Sequence, residues 1–139
     1  LAVSPIVVDA SIIAKWFLEE PLTEAALKLM EAYVAGRVRI AAPNLMPYEV
    51  LNALRFSERF TEDQLAEAAK ALESYGFMLY GLAGEVGALT ARLAKRLDLT
   101  VYDASYVALA RILGTTVYTA DRELIAKAGE ARDIRELEV

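Results

Sequence analysis

Apolar, β-branched positions at Ile6, Val7 and Val8 run straight into Asp9 and then into a helical spacing, so a buried strand is expected to end at a carboxylate. Ser11 to Phe17 reads as a short helix, with Ile12, Ile13, Trp16 and Phe17 on its apolar side and Pro21 interrupting it. A second amphipathic helix is predicted from about Leu22 to Ala35, stopped by Gly36, and a strand from Val38 to Ala42, closed by Pro43-Asn44. Pro47 suits the first turn of a third helix that carries Glu49 and runs to about Arg59. Thr61 and Gln64 form a capping box for a fourth, Glu62 to about Ser74. A short strand, Phe77 to Tyr80, then precedes a fifth helix, about Ala83 to Leu97. Thr100-Val101-Tyr102-Asp103 opens the sixth, which ends at Gly114. The pattern closes with a strand from Thr116 to Thr119, a turn at Ala120-Asp121, and a helix around Arg122 to Ala128 stopped by Gly129. An edge strand from about Ile134 to Val139 completes it.

Strands separated by helices predict an α/β fold, a three-layer α/β/α sandwich around a central, mostly parallel sheet of about five strands. In such sheets binding sites form beyond the carboxyl ends of the strands, where the strand order reverses. If the first strand and the Thr116 to Thr119 strand are neighbours there, Asp9 and Asp121 face one crevice. No repeat or linker divides the 139 residues, so a single domain over 1–139 is expected. No apolar run approaches the ~20 residues of a membrane span, and Leu1 to Val8 is too short and too poor in basic residues for a signal peptide. The expected compartment is the cytoplasm.

Composition narrows the chemistry mainly by what is missing. With no cysteine there is no thiol nucleophile, disulfide or thiolate metal site, and with no histidine there is no Ser-His-Asp relay or imidazole base. Carboxylates, hydroxyls, lysines or a hard metal remain. A net charge of −5 argues against a nucleic-acid coat, whose basic surface would dominate affinity, but leaves a nuclease open.

Four acids stand at helix starts: Asp9, Glu49, Asp103 and Asp121. Singly, each has an ordinary structural explanation. Asp9 or Asp121 suits an N-cap, Asp103 the reciprocal acid of a box begun by Thr100, and Glu49 the positive end of a helix dipole. The combination is different, because the α/β topology puts Asp9 and Asp121 at one end of one sheet and capping does not require that. Four carboxylates in one pocket repel strongly unless a divalent cation offsets them, and Mg²⁺ or Mn²⁺ favours such oxygen ligands.

The segments VVDASIIAKWFLEE, APNLMPYEVLNAL, LTVYDASYVALA and TVYTADREL together resemble the PIN-domain family, most closely the ribonuclease toxins of VapBC-type toxin–antitoxin pairs. The likeness spans nearly the whole chain. Carried over by position, the family's acids fall on Asp9, Glu49, Asp103 and Asp121, with Ser11 and Thr119 as hydroxyls beside them and Asn52 one helical turn after Glu49. The resemblance implies an endoribonuclease that cuts single-stranded RNA with one or two Mg²⁺ or Mn²⁺ ions, as the toxin of a pair with an antitoxin protein, and commonly a homodimer. The alternative is a non-catalytic PIN-like module that binds RNA or protein without cutting. A haloacid-dehalogenase-like phosphohydrolase fits worse, since it expects an Asp where Ser11 stands, and a phospho-receiver domain expects a lysine near the late strand that ends Thr119-Ala120-Asp121.

Lys15, Arg55 and Arg122 lie within two helical turns of these acids and are the candidates for phosphate contacts, against the plainer reading of solvated surface cations. Trp16-Phe17-Leu18, Phe56 and Phe60 read as core; any exposed part would offer an apolar groove to a partner helix.

Overall fold

A computed structural model of the protein describes residues 4–18, 23–128 and 134–137. The expectations at Pro21, Leu22 and Gly129, and for residues 138–139 of the last strand, lie outside them. Among the described residues, five strands and seven helices alternate along the chain. They are β1 (Pro5–Val8), α1 (Ala10–Ile13), α2 (Thr23–Val34), β2 (Arg39–Pro43), α3 (Met46–Arg55), α4 (Glu62–Ser74), β3 (Met78–Tyr80), α5 (Gly84–Leu97), α6 (Val101–Leu113), β4 (Val117–Thr119), α7 (Arg122–Ala128) and β5 (Ile134–Glu136).

The sheet runs β3-β2-β1-β4-β5 and every pairing is parallel, where the sequence pattern promised only a mostly parallel sheet. The order reverses between β1 and β4, the neighbours anticipated above. Right-handed crossovers put α1 to α4 on one face and α5 to α7 on the other, giving the three-layer α/β/α sandwich. With a neighbour on each side and a helical layer over each face, β1 has no use for alternation. That is why Val7 and Val8 are both fully buried, each contributing roughly 1.5–3 kcal/mol of burial.

The main core gathers Val7, Val8, Ile12, Ile13, Ile40, Met46, Val50, Leu54, Tyr106 and Leu109. Beside it Leu93, Val107 and Leu124 knit α5, α6 and α7 together. Capping signals act as their residues suggest. Thr61 and Gln64 close both arms of the box on α4, and Gly114 ends α6 in left-handed backbone at φ 66°, a conformation open to a residue without a side chain.

Two helices are shorter than their patterns suggested. The stretch read as a helix from Ser11 to Phe17 is α1 followed by a 3-10 turn, Ala14–Trp16, which tightens as the chain leaves the crevice. Helix α3 stops at Arg55 instead of running to Arg59, because apolar spacing fails after the buried Leu54. Phe56, read as core, is 71% exposed and lies under the Arg55 guanidinium at 4.3 Å. Trp16 is buried, and Phe17, Leu18 and Phe60 are partly buried against the core. Among the described residues, no helix is long and apolar enough to cross a membrane.

Candidate active site

The site begins where β1 ends. Asp9 has extended backbone (φ −73°, ψ 151°) at the N-cap position of α1, yet its side chain makes no cap hydrogen bond. Its Oδ2 instead accepts from the Thr119 hydroxyl at 2.6 Å and the Ser11 hydroxyl at 2.9 Å. Register explains the first bond. Val7 pairs with Val117 and Val8 with Tyr118, so Asp9 and Thr119 come next on adjacent parallel strands, and the Asp9 amide donates to Tyr118 O at 3.0 Å. The two hydroxyls also serve the β4–α7 turn, Ser11 Oγ accepting from the Ala120 amide at 3.1 Å and Thr119 Oγ1 from the Asp121 amide at 2.9 Å.

Burial pushes the Asp9 carboxyl above its usual value; the Thr119 and Ser11 donors oppose that shift, and the Asp121 charge adds to it. Asp121 is a helix cap as well as a neighbouring charge: its Oδ1 accepts from the Glu123 amide at 3.0 Å and the Leu124 amide at 3.3 Å at the start of α7. The plain reading and the charged-pocket reading hold together for this residue.

The other two acids arrive on first turns. Asp103 opens α6, its amide donating to the Thr100 hydroxyl at 3.0 Å, and its carboxyl is raised by burial and then by the charges of Asp9 and Asp121. Glu49 opens α3 and accepts from the Tyr106 hydroxyl at 2.7 Å. Burial, then the charges of Asp9 and Asp103, push it up to about 7 against the bond from Tyr106. The four acids therefore share one electrostatic neighbourhood built from β1, α3, α6 and the β4–α7 turn.

Sharing a neighbourhood is not yet forming a cage. Among the described residues, no group of three or more acidic side chains could hold a metal ion as it stands. The donor chemistry nevertheless suits a hard divalent cation, since the four acids with Ser11 and Thr119 offer carboxylate and hydroxyl oxygens. Three of the carboxyls are held above their ordinary values by burial and by one another's charge, a strain that a cation would relieve.

The remaining predicted residues differ in placement. Asn52 is exposed on the Glu49 side of α3, and its Oδ1 accepts from Arg55 Nε at 3.4 Å. Arg122 is exposed and lies 3.4 Å from Glu136 on β5, whereas Lys15 is buried in the 3-10 turn. Tyr106 was not singled out from the sequence, though it is wholly buried and holds Glu49. The available signal was its spacing three residues after Asp103, which puts a phenol needing a partner on the acid's side of the helix.

Known proteins resemble this chain in sequence and in fold. The family model described as PIN domain matches residues 6–130. Ribonuclease VapC3 of Pyrobaculum aerophilum is 34% identical over 88% of this chain and 93% of its own length. Exonuclease VapC9 of the same organism is 33% identical over 77% of this chain and 80% of its own. The structure of a toxin–antitoxin complex from Klebsiella pneumoniae superposes with a TM-score of 0.70 at 15% identity, covering 94% of this chain and 95% of that one, a likeness of fold.

Proposed function

The chain belongs to the PIN-domain family, and from that premise we propose that it is a divalent-metal-dependent ribonuclease that cuts single-stranded RNA internally, as the toxin of a toxin–antitoxin pair. One observation carries the reading. Asp9, Glu49, Asp103 and Asp121 come from four separate elements into one electrostatic neighbourhood at the carboxyl ends of β1 and β4, where this topology forms its binding crevice. The relative named as a ribonuclease supports nuclease chemistry.

On this reading Asp9, Asp103 and Asp121, with Glu49 directly or through water, hold Mg²⁺ or Mn²⁺, as one or two ions. When bound, the cation acidifies a water and offsets charge on the scissile phosphate. Thr119 and Ser11 fix the Asp9 carboxylate, and Tyr106 fixes Glu49. Arg55 and Arg122, on exposed surface, are the side chains proposed to meet the RNA backbone, while Lys15 is buried. An antitoxin protein, a homodimeric state and a cytoplasmic setting complete the proposal; the toxin–antitoxin neighbour from Klebsiella supports the first of these through its fold.

Internal cutting is tested with circular single-stranded RNA. Linearisation in Mn²⁺, blocked by a chelator, is the expected result, and digestion of linear but not circular RNA would assign exonuclease action, the activity in the second relative's name. The absence of any acidic triad ready for metal among the described residues favours a second reading, a PIN-like module that binds without cutting. Intact RNA at millimolar Mn²⁺ would establish it.

A further inference from the structure

Two exposed tyrosines flank the acidic crevice, and each immediately precedes one of its acids. Tyr48 stands before Glu49 in the first turn of α3, and Tyr102 before Asp103 in the first turn of α6. Tyr48 is 78% exposed and Tyr102 61%, in a chain that buries Tyr106 completely. Together with Leu45, Glu49 and Asn52 they line one open groove of about 510 Å³. Glu49 is therefore a wall of both the groove and the carboxylate site. The Arg55 contact orients the Asn52 amide in that groove.

We propose that Tyr48 and Tyr102 form a stacking site for a nucleobase next to the scissile phosphate, with Asn52 hydrogen-bonding the base edge. The proposal rests on the ribonuclease reading and adds the means by which the strand is gripped. Three features select a base as the occupant. At net charge −5 no overall basic field adds to the few proposed phosphate contacts, and stacking supplies grip on a single strand without further positive charge. A groove walled by Glu49 repels phosphate but tolerates an uncharged ring. Single-stranded RNA presents unstacked bases to aromatic faces, and an amide carries both donors and an acceptor suited to base edges. The coupling in sequence matters too: because each tyrosine adjoins a site acid on a rigid first turn, the base is held in fixed relation to the reacting phosphate.

The test compares Tyr48→Leu and Tyr102→Leu with Tyr48→Phe and Tyr102→Phe, melting curves confirming that each variant folds. Binding of a labelled, cleavage-resistant phosphorothioate RNA oligomer is read by fluorescence anisotropy, and cleavage of the same sequence with ordinary linkages by KM and kcat. Each leucine variant is expected to bind about 5- to 150-fold more weakly and to raise KM more than it lowers kcat, while the phenylalanine variants match the parent. Replacing the nucleotide beside the cut with an abasic residue should reproduce the loss in the parent and add nothing in the leucine variants. Leucine variants, or an abasic oligomer, that bind and are cut like the originals overturn the stacking site and leave the nuclease reading standing. Base-dependent binding by a parent that never cuts supports the stacking site and removes the nuclease. A parent that neither binds nor cuts overturns both. Leucine variants that change oligomeric mass while base dependence persists reassign the face to contact between copies, and overturn the proposal likewise.

Discussion

Tyr106 on α6 donates its hydroxyl to Glu49 Oε1 on α3 at 2.7 Å, joining residues 57 positions apart. The bond ties the helix that carries Asp103 to the helix that carries Glu49. Because it also lowers the Glu49 carboxyl from where burial would leave it, it sets charge as well as position.

Tyr106→Phe keeps the buried ring and deletes the donor. A destabilisation of about 0.5–1.5 kcal/mol is expected in urea unfolding, and cleavage at neutral pH should fall about tenfold. The acid limb of the kcat/KM profile should move to higher pH as Glu49 rises beyond about 7. An unmoved limb would reduce Tyr106 to packing.

Thr119→Val is nearly isosteric but removes the donor to Asp9 Oδ2 and the acceptor for the Asp121 amide. With a buried carboxylate and a backbone amide each losing a partner, about 2–3 kcal/mol of stability should go. Thr119→Ser should recover most of it. Equal melting temperatures for valine and threonine would contradict the assignment.

Asp9→Asn and Asp103→Asn should each abolish metal-dependent cleavage while the metal-free protein remains folded. Mn²⁺ should raise the melting temperature of the parent, since it binds the folded state, and should do so weakly or not at all in these variants. Parental RNA cleavage by either purified variant would sink the four-acid site.

Raised carboxyl values carry a definite sign in stability. Glu49 goes from 4.5 to about 7, and Asp9 and Asp103 are raised as well, so the folded state holds protons that the unfolded chain has released. The Glu49 contribution is fully present below pH 4.5 and is lost as the pH climbs through about 7, and the raised Asp9 and Asp103 carboxyls act with the same sign. The metal-free protein should therefore show a lower urea midpoint at pH 7.5 than at pH 5, and saturating Mn²⁺ should flatten that difference. A metal-free midpoint that climbs over this interval speaks against carboxyls crowded in the crevice.

Thr61→Ala serves as a counterweight. It removes the hydroxyl arm of the box on α4, leaving the residue 61 amide still able to donate to Gln64, and should cost ~1 kcal/mol without altering cleavage.

Asp9 and Asp121 were legible as acids that end strand patterns, each open singly to a cap reading, and the β1–β4 adjacency brought both to one crevice. Glu49 and Asp103 were legible as helix starts, but their mutual charge was not, since it depends on how α3 and α6 sit over the sheet. Tyr106 escaped notice because along the chain it is one more large residue on an apolar helix face; only its partner, 57 positions away, reveals the hydroxyl's use. Phe56 misled for the opposite reason. Read as core for its apolar ring, it falls two residues past Leu54, off the buried side set by Met46, Val50 and Leu54, and the helix has already ended. The break from α1 to a 3-10 turn was hidden because a single turn of either helix spaces its apolar residues almost alike.

The hydroxyl that fixes Asp9 lies 110 residues further along the chain. A growing polypeptide therefore makes this acid 110 residues before the partner that positions it. Until β4 emerges, β1 is an open edge, and Asp9 has neither the Thr119 donor nor the Asp121 charge beside it. On the ribonuclease reading, this order of manufacture is a timer: the crevice cannot assemble, and cutting power cannot appear, before β4 has followed β1 out of the ribosome.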